Sequence, residues 1–312
     1  MKILICDQLN EIVLNELKTL GECIDVSMSD SKGDEINENI VDSEIVVIRS
    51  GTVLNKEILE LGKNIKIIAR CGVGVDNIDL EFAKQKEIAV TNAPSANIIS
   101  VVELTSSLIL NAARKIPQAD QSLKNGKWER ASFMGIELFG KQLGIVGFGK
   151  AGKLLAERMK SFGMEIVFYD PYIKDWDGPE QSTDLDTLLS TSDVISVHVI
   201  KTDETKNLLS KDKLDLLKKG SIIVNTSRGG VLDEAHLIAL LSSEHLYGAG
   251  LDVYENEPPQ NTEQFKNLNI TSTPHIGAST KEAQLKAGLD TCLLYTSPSP
   301  RDRQKSRMLS SA

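Results

Sequence analysis

Short apolar runs alternate along this chain with stretches whose apolar positions recur every three or four residues, and that alternation predicts parallel α/β architecture. In the first third, strand-type runs fall at Ile3–Cys6, Cys23–Met28, Ile45–Arg49, Ile65–Cys71 and Ile88–Thr91. Between the first two, Ile12, Val13, Glu16, Leu17 and Leu20 share one face of a helix over Glu11–Leu20, and Gly21 supplies a stop. A long helix is expected over about Asn97–Lys115, ending before Pro117, with a polar stretch around Lys124–Phe139 after it. A second series then begins with strand Leu143–Gly147, helix Lys150–Phe162 stopped by Gly163, and strand Ile166–Tyr169. Further strands are expected at Val194–Val199, Ile222–Thr226, Ala249–Val253 and Ile270–Thr273. Helices are expected at Lys211–Lys218, between Ser210 and Gly220, and at Glu234–Ser243. Ser279-Thr280-Lys281-Glu282 has the form of a capping box that opens a last helix. The expectation is two doubly wound parallel-sheet domains, the second inserted in the first.

Composition narrows the partners. The 312 residues suffice for two domains, and 41% hydrophobic with 25% charged residues is ordinary for a soluble globular chain. A net charge of -9 disfavours the cation–phosphate attraction behind non-specific nucleic acid binding, while a local pocket for a small anion stays open. The opening MKILICDQLN carries an apolar run too short for a signal-peptide core, and no run approaches the roughly 18 residues of a membrane helix. Neither nucleic acid nor membrane is therefore expected as a partner. Cys6, Cys23, Cys71 and Cys292 are scattered without a CxxC, which suits reduced thiols in a cytoplasmic protein and gives no metal site.

From Thr296 the composition changes. The stretch TSPSPRDRQKSRMLSSA carries four basic residues and one acidic, so its net charge is +3 against -12 for the preceding 295 residues. A native disordered basic tail is one reading. The string CLLYTSPSPRDRQKSRM more closely resembles the translated read-through of a sequencing adapter, so residues 296–312 are expected to be non-native and the natural chain cut near Thr291.

Candidate chemistry begins at Gly147-Phe148-Gly149-Lys150-Ala151-Gly152. A GxGxxG is a weak signal alone, but here a strand precedes it, a helix follows, and Asp170 ends the next strand. Gly147 permits the tight turn, Gly149 lets the backbone approach a pyrophosphate at the helix N-terminus, and Gly152 lets helix and strand pack closely. Asp170 can accept from an adenine ribose and would repel a 2′-phosphate, which favours NAD over NADP.

Three further segments follow strands, and ligands of an open parallel sheet bind beyond such strand ends. They are Asn225-Thr226-Ser227-Arg228-Gly229-Gly230, the run Leu251–Pro259 with Asp252 and Glu257, and Thr273-Pro274-His275-Ile276-Gly277-Ala278. Turnover of a 2-hydroxy acid needs a proton acceptor for the hydroxyl and a cation for the carboxylate. His275 suits proton transfer, Glu257 can keep its imidazolium populated, and Arg228 offers a planar fork for carboxylate and carbonyl oxygens. Singly, a His after Pro is often a packing group and a Glu before two prolines a solvated turn. Downstream of a dinucleotide fold they point together to a site.

These segments resemble the D-isomer-specific 2-hydroxyacid dehydrogenases over about Met1–Thr291. The resemblance implies a flavodoxin-like substrate domain (residues 1–97 with 281–295) and a Rossmann NAD-binding domain (98–280). It also implies a catalytic set of Arg228, Glu257 and His275. Carried over, Gly147, Gly149, Lys150, Ala151, Gly152, Asp170, His198, Thr226, Ser227, Asp252, Gly277 and Ala278 would meet NAD. Ser196-Val197-His198-Val199 matches a cofactor-lining stretch, except that Ile200 stands where the family usually has Pro. Segments around Ile48–Thr52, Ala69–Asp79, Asn92–Asn97 and Gly126–Gly135 are most similar to the members that oxidise D-3-phosphoglycerate, which implies substrate contacts at Arg49, Ser50, Val73, Gly74 and Asn97. Arg49 is the first candidate for the substrate's phosphate, with Arg70 and Arg130 behind it. The helix from Asn97 resembles the family's dimer-forming connecting helix, so a homodimer or homotetramer is expected. Two other readings stay open: a glyoxylate or hydroxypyruvate reductase, and an NAD-sensing binding module like the related transcriptional corepressors.

Overall fold

The computed structural model describes residues 1–296, so the segment read as foreign lies, from Ser297 on, outside the described residues. The chain forms two compact units, one built from Met1–Asn97 and the stretch beginning at Ala278, the other from Ile98–Gly277.

In the first unit, β1 (Lys2–Ile5), α1 (Glu11–Leu20), β2 (Glu22–Asp25), α2 (Lys32–Asn39), β3 (Ile45–Ile48), α3 (Lys56–Leu61), β4 (Ile67–Arg70), α4 (Leu80–Gln85) and β5 (Ala89–Asn92) alternate. The five strands make one parallel sheet in the order β2-β1-β3-β4-β5, the flavodoxin-like winding. All four residues of β3 are buried, because helices cover both faces of a parallel sheet. Leu4, Val46, Ile48 and Phe82 pack on one face; Ile3, Val47 and Leu17 pack on the other. Asn10, Asn55 and Asp79 cap α1, α3 and α4 by accepting backbone N–H bonds. Gly21 follows α1 in extended backbone, φ 175°, and not in the left-handed conformation of a C-terminal stop.

The second unit runs α5 (Ile98–Arg114), α6 (Ile116–Lys124), β6 (Gln142–Val146), α7 (Lys150–Lys160), β7 (Glu165–Tyr169), β8 (Gln181–Ser182), α8 (Leu185–Thr191), β9 (Val194–Val197), α9 (Lys211–Leu214), β10 (Ile222–Asn225), α10 (Glu234–Ser242), β11 (Gly248–Leu251) and β12 (Ile270–Ser272). Its seven strands are ordered β12-β11-β10-β9-β6-β7-β8 and all pair in parallel. The chain order reverses at β6, which makes the C-terminal ends of β6 and β9 the switch point of a Rossmann sheet. One face of α5 lies in the core: Val102, Leu108, Ile109 and Ala112 pack with Leu143 and Val224. Two details differ from expectation. α9 is one turn long, and α6, begun by Pro117 near its N-terminus, occupies a stretch where no helix was expected.

α11 (Lys281–Thr296) returns to the first unit and packs on α1 and β5. Thr280 Oγ1 accepts from the Ala283 N–H at 3.1 Å, so Thr280 is its cap. The capping box expected from Ser279 would need the Glu three residues past the cap. Glu282 stands only two past Thr280, so the spacing is not that of a capping box on Thr280. No helix among the described residues is long and apolar enough to cross a membrane.

Candidate functional site

The turn after β6 is shaped by backbone approach. Gly147 has φ +93°, and a Cβ on it would stand 2.7 Å from the His198 carbonyl oxygen. A Cβ on Gly152 would stand 2.4 Å from the Gly147 carbonyl, so α7 lies directly on the turn. A Cβ on Gly149 would meet nothing within 4 Å, which leaves open space over the N-terminus of α7. Lys150 and Ala151 are its first two residues. Such a cradle fits a dinucleotide pyrophosphate, because the first N–H groups of a helix and its dipole face that space. Beneath it, Phe148 stacks on Phe168 at 4.0 Å, and Trp176 meets both rings edge-on. Asp170 accepts from the Phe148 and Tyr172 N–H groups at 2.9 and 3.0 Å, tying the second strand's end to the glycine turn.

His198 follows β9 with its Nε2 2.8 Å from Ser196 Oγ, and burial pulls its imidazole down to about 4, so it is neutral. Thr226 turns inward, its hydroxyl 2.7 Å from Thr105 on α5, which leaves mainly its backbone for a ligand. The Ser227 N–H and hydroxyl both donate to Asn225 Oδ1, while Asn225 Nδ2 donates to the Arg228 carbonyl. Asn225 therefore builds the turn that presents Arg228, a role that sequence reading missed. An Asn at a strand end before Ser is the local signal for such an Asx turn.

β10, β11 and β12 are neighbours in the sheet, so the turns after them converge. His275 Nδ1 and Glu257 Oε2 lie 2.6 Å apart, and the Tyr254 N–H donates to Glu257 Oε1 at 3.1 Å. The bond to Glu257 raises the His275 pKa against the opposing pull of burial. Burial alone would raise Glu257, but the His275 bond, the Tyr254 N–H and the Arg228 charge together hold it low. Arg228 acts on both partners. Asp252 is fully buried and accepts from the Ile276 and Gly277 N–H groups, each at 2.8 Å, and from Thr273 Oγ1 at 2.6 Å. These bonds hold the turn in which His275 adopts φ +52°, a left-handed conformation that costs energy for a residue with a Cβ. All three of these bonds of Asp252 go to the histidine turn.

The remaining expected residues belong to the other unit. Arg49 follows β3; its N–H donates to Asp7 Oδ2 at 2.6 Å and its Nη1 to the Gln8 carbonyl at 3.2 Å. Asp7 is 6% exposed and also takes Lys32 Nζ at 2.7 Å and Thr52 Oγ1 at 2.9 Å, so it organises the ends of β1 and β3 without having been singled out in the sequence. Ser50 is exposed beside it. The Val73–Gly74 turn is pinned by Asn92 Nδ2 on the Val73 carbonyl at 2.6 Å. Asn97 closes the first stretch of this unit, and Ala278 opens the second.

A family model described as the NAD binding domain of D-isomer specific 2-hydroxyacid dehydrogenases matches residues 106–277. The sequence is 44% identical over 292 residues, 92% of the chain, to a D-3-phosphoglycerate dehydrogenase of Methanocaldococcus jannaschii, of which it covers 55%. It is 46% identical over 272 residues, 86% of the chain, to a hydroxypyruvate reductase of Thermotoga maritima, of which it covers 89%. An NAD-dependent formate dehydrogenase of Staphylococcus aureus, solved in complex with NAD, matches with TM-score 0.84 and 28% identity, covering 95% of each chain. The chain thus spans about half the length of the phosphoglycerate dehydrogenases it matches first.

Proposed function

The chain belongs to the D-isomer specific 2-hydroxyacid dehydrogenase family and carries its NAD-binding domain, and from that premise we propose that it oxidises D-3-phosphoglycerate to 3-phosphohydroxypyruvate with NAD⁺. That reaction would be the first step of serine synthesis. The observation that carries the reading is the 2.6 Å His275–Glu257 pair beside Arg228, on the sheet whose β6 leads into the glycine turn.

NAD⁺, when bound, supplies the hydride acceptor. The glycine turn and the start of α7 would hold its pyrophosphate, and Asp170 would accept from its adenine ribose. Arg228 binds the substrate carboxylate and the C2 oxygen in a fork. His275 leaves Nε2 for the substrate, because Nδ1 is engaged by Glu257. As hydride leaves C2, His275 Nε2 takes the hydroxyl proton and C2–O becomes a carbonyl. Glu257 offsets the positive charge that develops on the ring. Arg49 provides a cation for the phosphate, and the Val73–Gly74 turn provides backbone N–H groups for the carboxylate.

The hydroxypyruvate reductase of similar length favours a second reading, in which the phosphate contributes little. Comparing D-3-phosphoglycerate with D-glycerate in wild type and Arg49→Ala separates the two. The first reading expects a preference for the phosphorylated acid and a KM for it raised on the order of tenfold or more in Arg49→Ala. Equal use of both acids by wild type would overturn it.

The second unit also exposes Trp128 (77%), Met134 (78%) and Phe139 (80%), apolar surface that a second copy would cover. We infer a homodimer through this unit; sedimentation of the full chain as a monomer at micromolar concentration would exclude it. The four free thiols, three of them buried, suit a reducing compartment such as the cytoplasm.

A further inference from the structure

We propose that Glu234 is a positioning residue: its carboxylate fixes the Tyr254–Glu255 peptide, on which both the Arg228 turn and the Glu257–His275 pair rest. The inference depends on the roles proposed above for those three residues.

Glu234 is the first residue of α10, and α10 is capped by Asp233, not by Glu234 itself. The half-buried Glu234 side chain is therefore free to reach out, and its Oε1 accepts the Glu255 N–H. The same peptide is crowded from another side. A Cβ on Gly229 would stand 1.6 Å from the Tyr254 carbonyl oxygen and 2.9 Å from the Glu255 nitrogen. No side chain fits there, so the turn carrying Arg228 lies directly on this peptide. One residue back, the Tyr254 N–H holds Glu257 Oε1, whose other oxygen meets His275. The Tyr254 hydroxyl donates to the Thr273 carbonyl at 2.9 Å, in the turn that carries His275. Tyr254 and the peptide that follows it thus set three turns relative to each other, and Glu234 is the group that holds that peptide's N–H.

The surroundings resist a carboxylate at this place. Burial and the Glu255 and Glu257 charges raise the Glu234 carboxyl above its ordinary range. A carboxyl placed there against that resistance, with a backbone N–H as its partner, is explained by reach and acceptance. Glutamine offers both without charge, and aspartate offers charge without reach.

The test compares Glu234→Gln, Glu234→Asp and Glu234→Ala in the full chain. Expected are kcat within about threefold of wild type for Glu234→Gln and a loss on the order of 10- to 100-fold for the other two, with NADH affinity unchanged. The titration of the His275 ring by NMR is the second readout, with His275→Ala assigning its signal among the four histidines. The charged groups acting on His275 are Glu257, Asp252 and Arg228. If Glu234→Ala releases Glu257, the His275 pKa falls toward its ordinary value, while Glu234→Gln titrates like wild type. A Glu234→Ala chain with wild-type His275 titration overturns the proposal, and so does a Glu234→Gln chain as impaired as Glu234→Ala. If wild type turns over no hydroxy acid, the functional reading fails while the His275 titration still decides the role of Glu234.

Discussion

His275 combines an unfavourable backbone conformation with a partner that favours its charged form. The turn is held by Asp252 and the ring by Glu257, so the residue is positioned from both ends. This has a consequence for pH. The proposed oxidation needs a neutral His275 to accept the proton, so kcat/KM for it is expected to rise with pH through the His275 pKa. Glu257 raises that pKa. Glu257→Gln should therefore move the rising limb to lower pH and also lower kcat, by about 10- to 100-fold, because the imidazolium loses its counter-charge. A pH–rate profile checks both; a limb moved upward would contradict the pairing. Arg228, Glu257 and His275 could be singled out in the sequence because they occur together, each in a segment that follows a strand downstream of the glycine turn. Asp7 and Glu234 could not, since each accepts a backbone N–H brought close only by the fold, whereas the Asx turn of Asn225 is local and was legible in principle.

Strands and helices were legible where burial is two-sided or the apolar stripe is long. The four-residue strands end earlier than the apolar runs do, because Cys6 and Cys71 stay buried after the ladders of β1 and β4 have ended. α2 shows the converse: only Ile36 is buried, too little to make a stripe. At α11 the motif gave the right helix and the wrong cap. Thr280→Ala should cost about 1 kcal/mol in urea unfolding, and Ser279→Ala should be near neutral. Equal effects would return the cap to Ser279. Gly229 belongs to this scale too, since it lets the turns after β10 and β11 touch.

At the scale of the molecule, alternation of strand and helix carried the fold class, because both sheets are parallel and their central strands are buried on both faces. The order of strands came less from periodicity than from the glycine turn, which marks β6 as the first strand of its sheet. The proposed preference for a phosphorylated acid rests on residues of the first unit, and the proposed transfer chemistry on residues of the second. The most direct test of the transfer chemistry is NADH formation from NAD⁺ and D-3-phosphoglycerate by wild type and by His275→Ala, with NADH binding measured in parallel. The account predicts turnover by wild type and a loss on the order of 10²- to 10⁴-fold in His275→Ala with NADH still bound. Equal rates in the two proteins would contradict it.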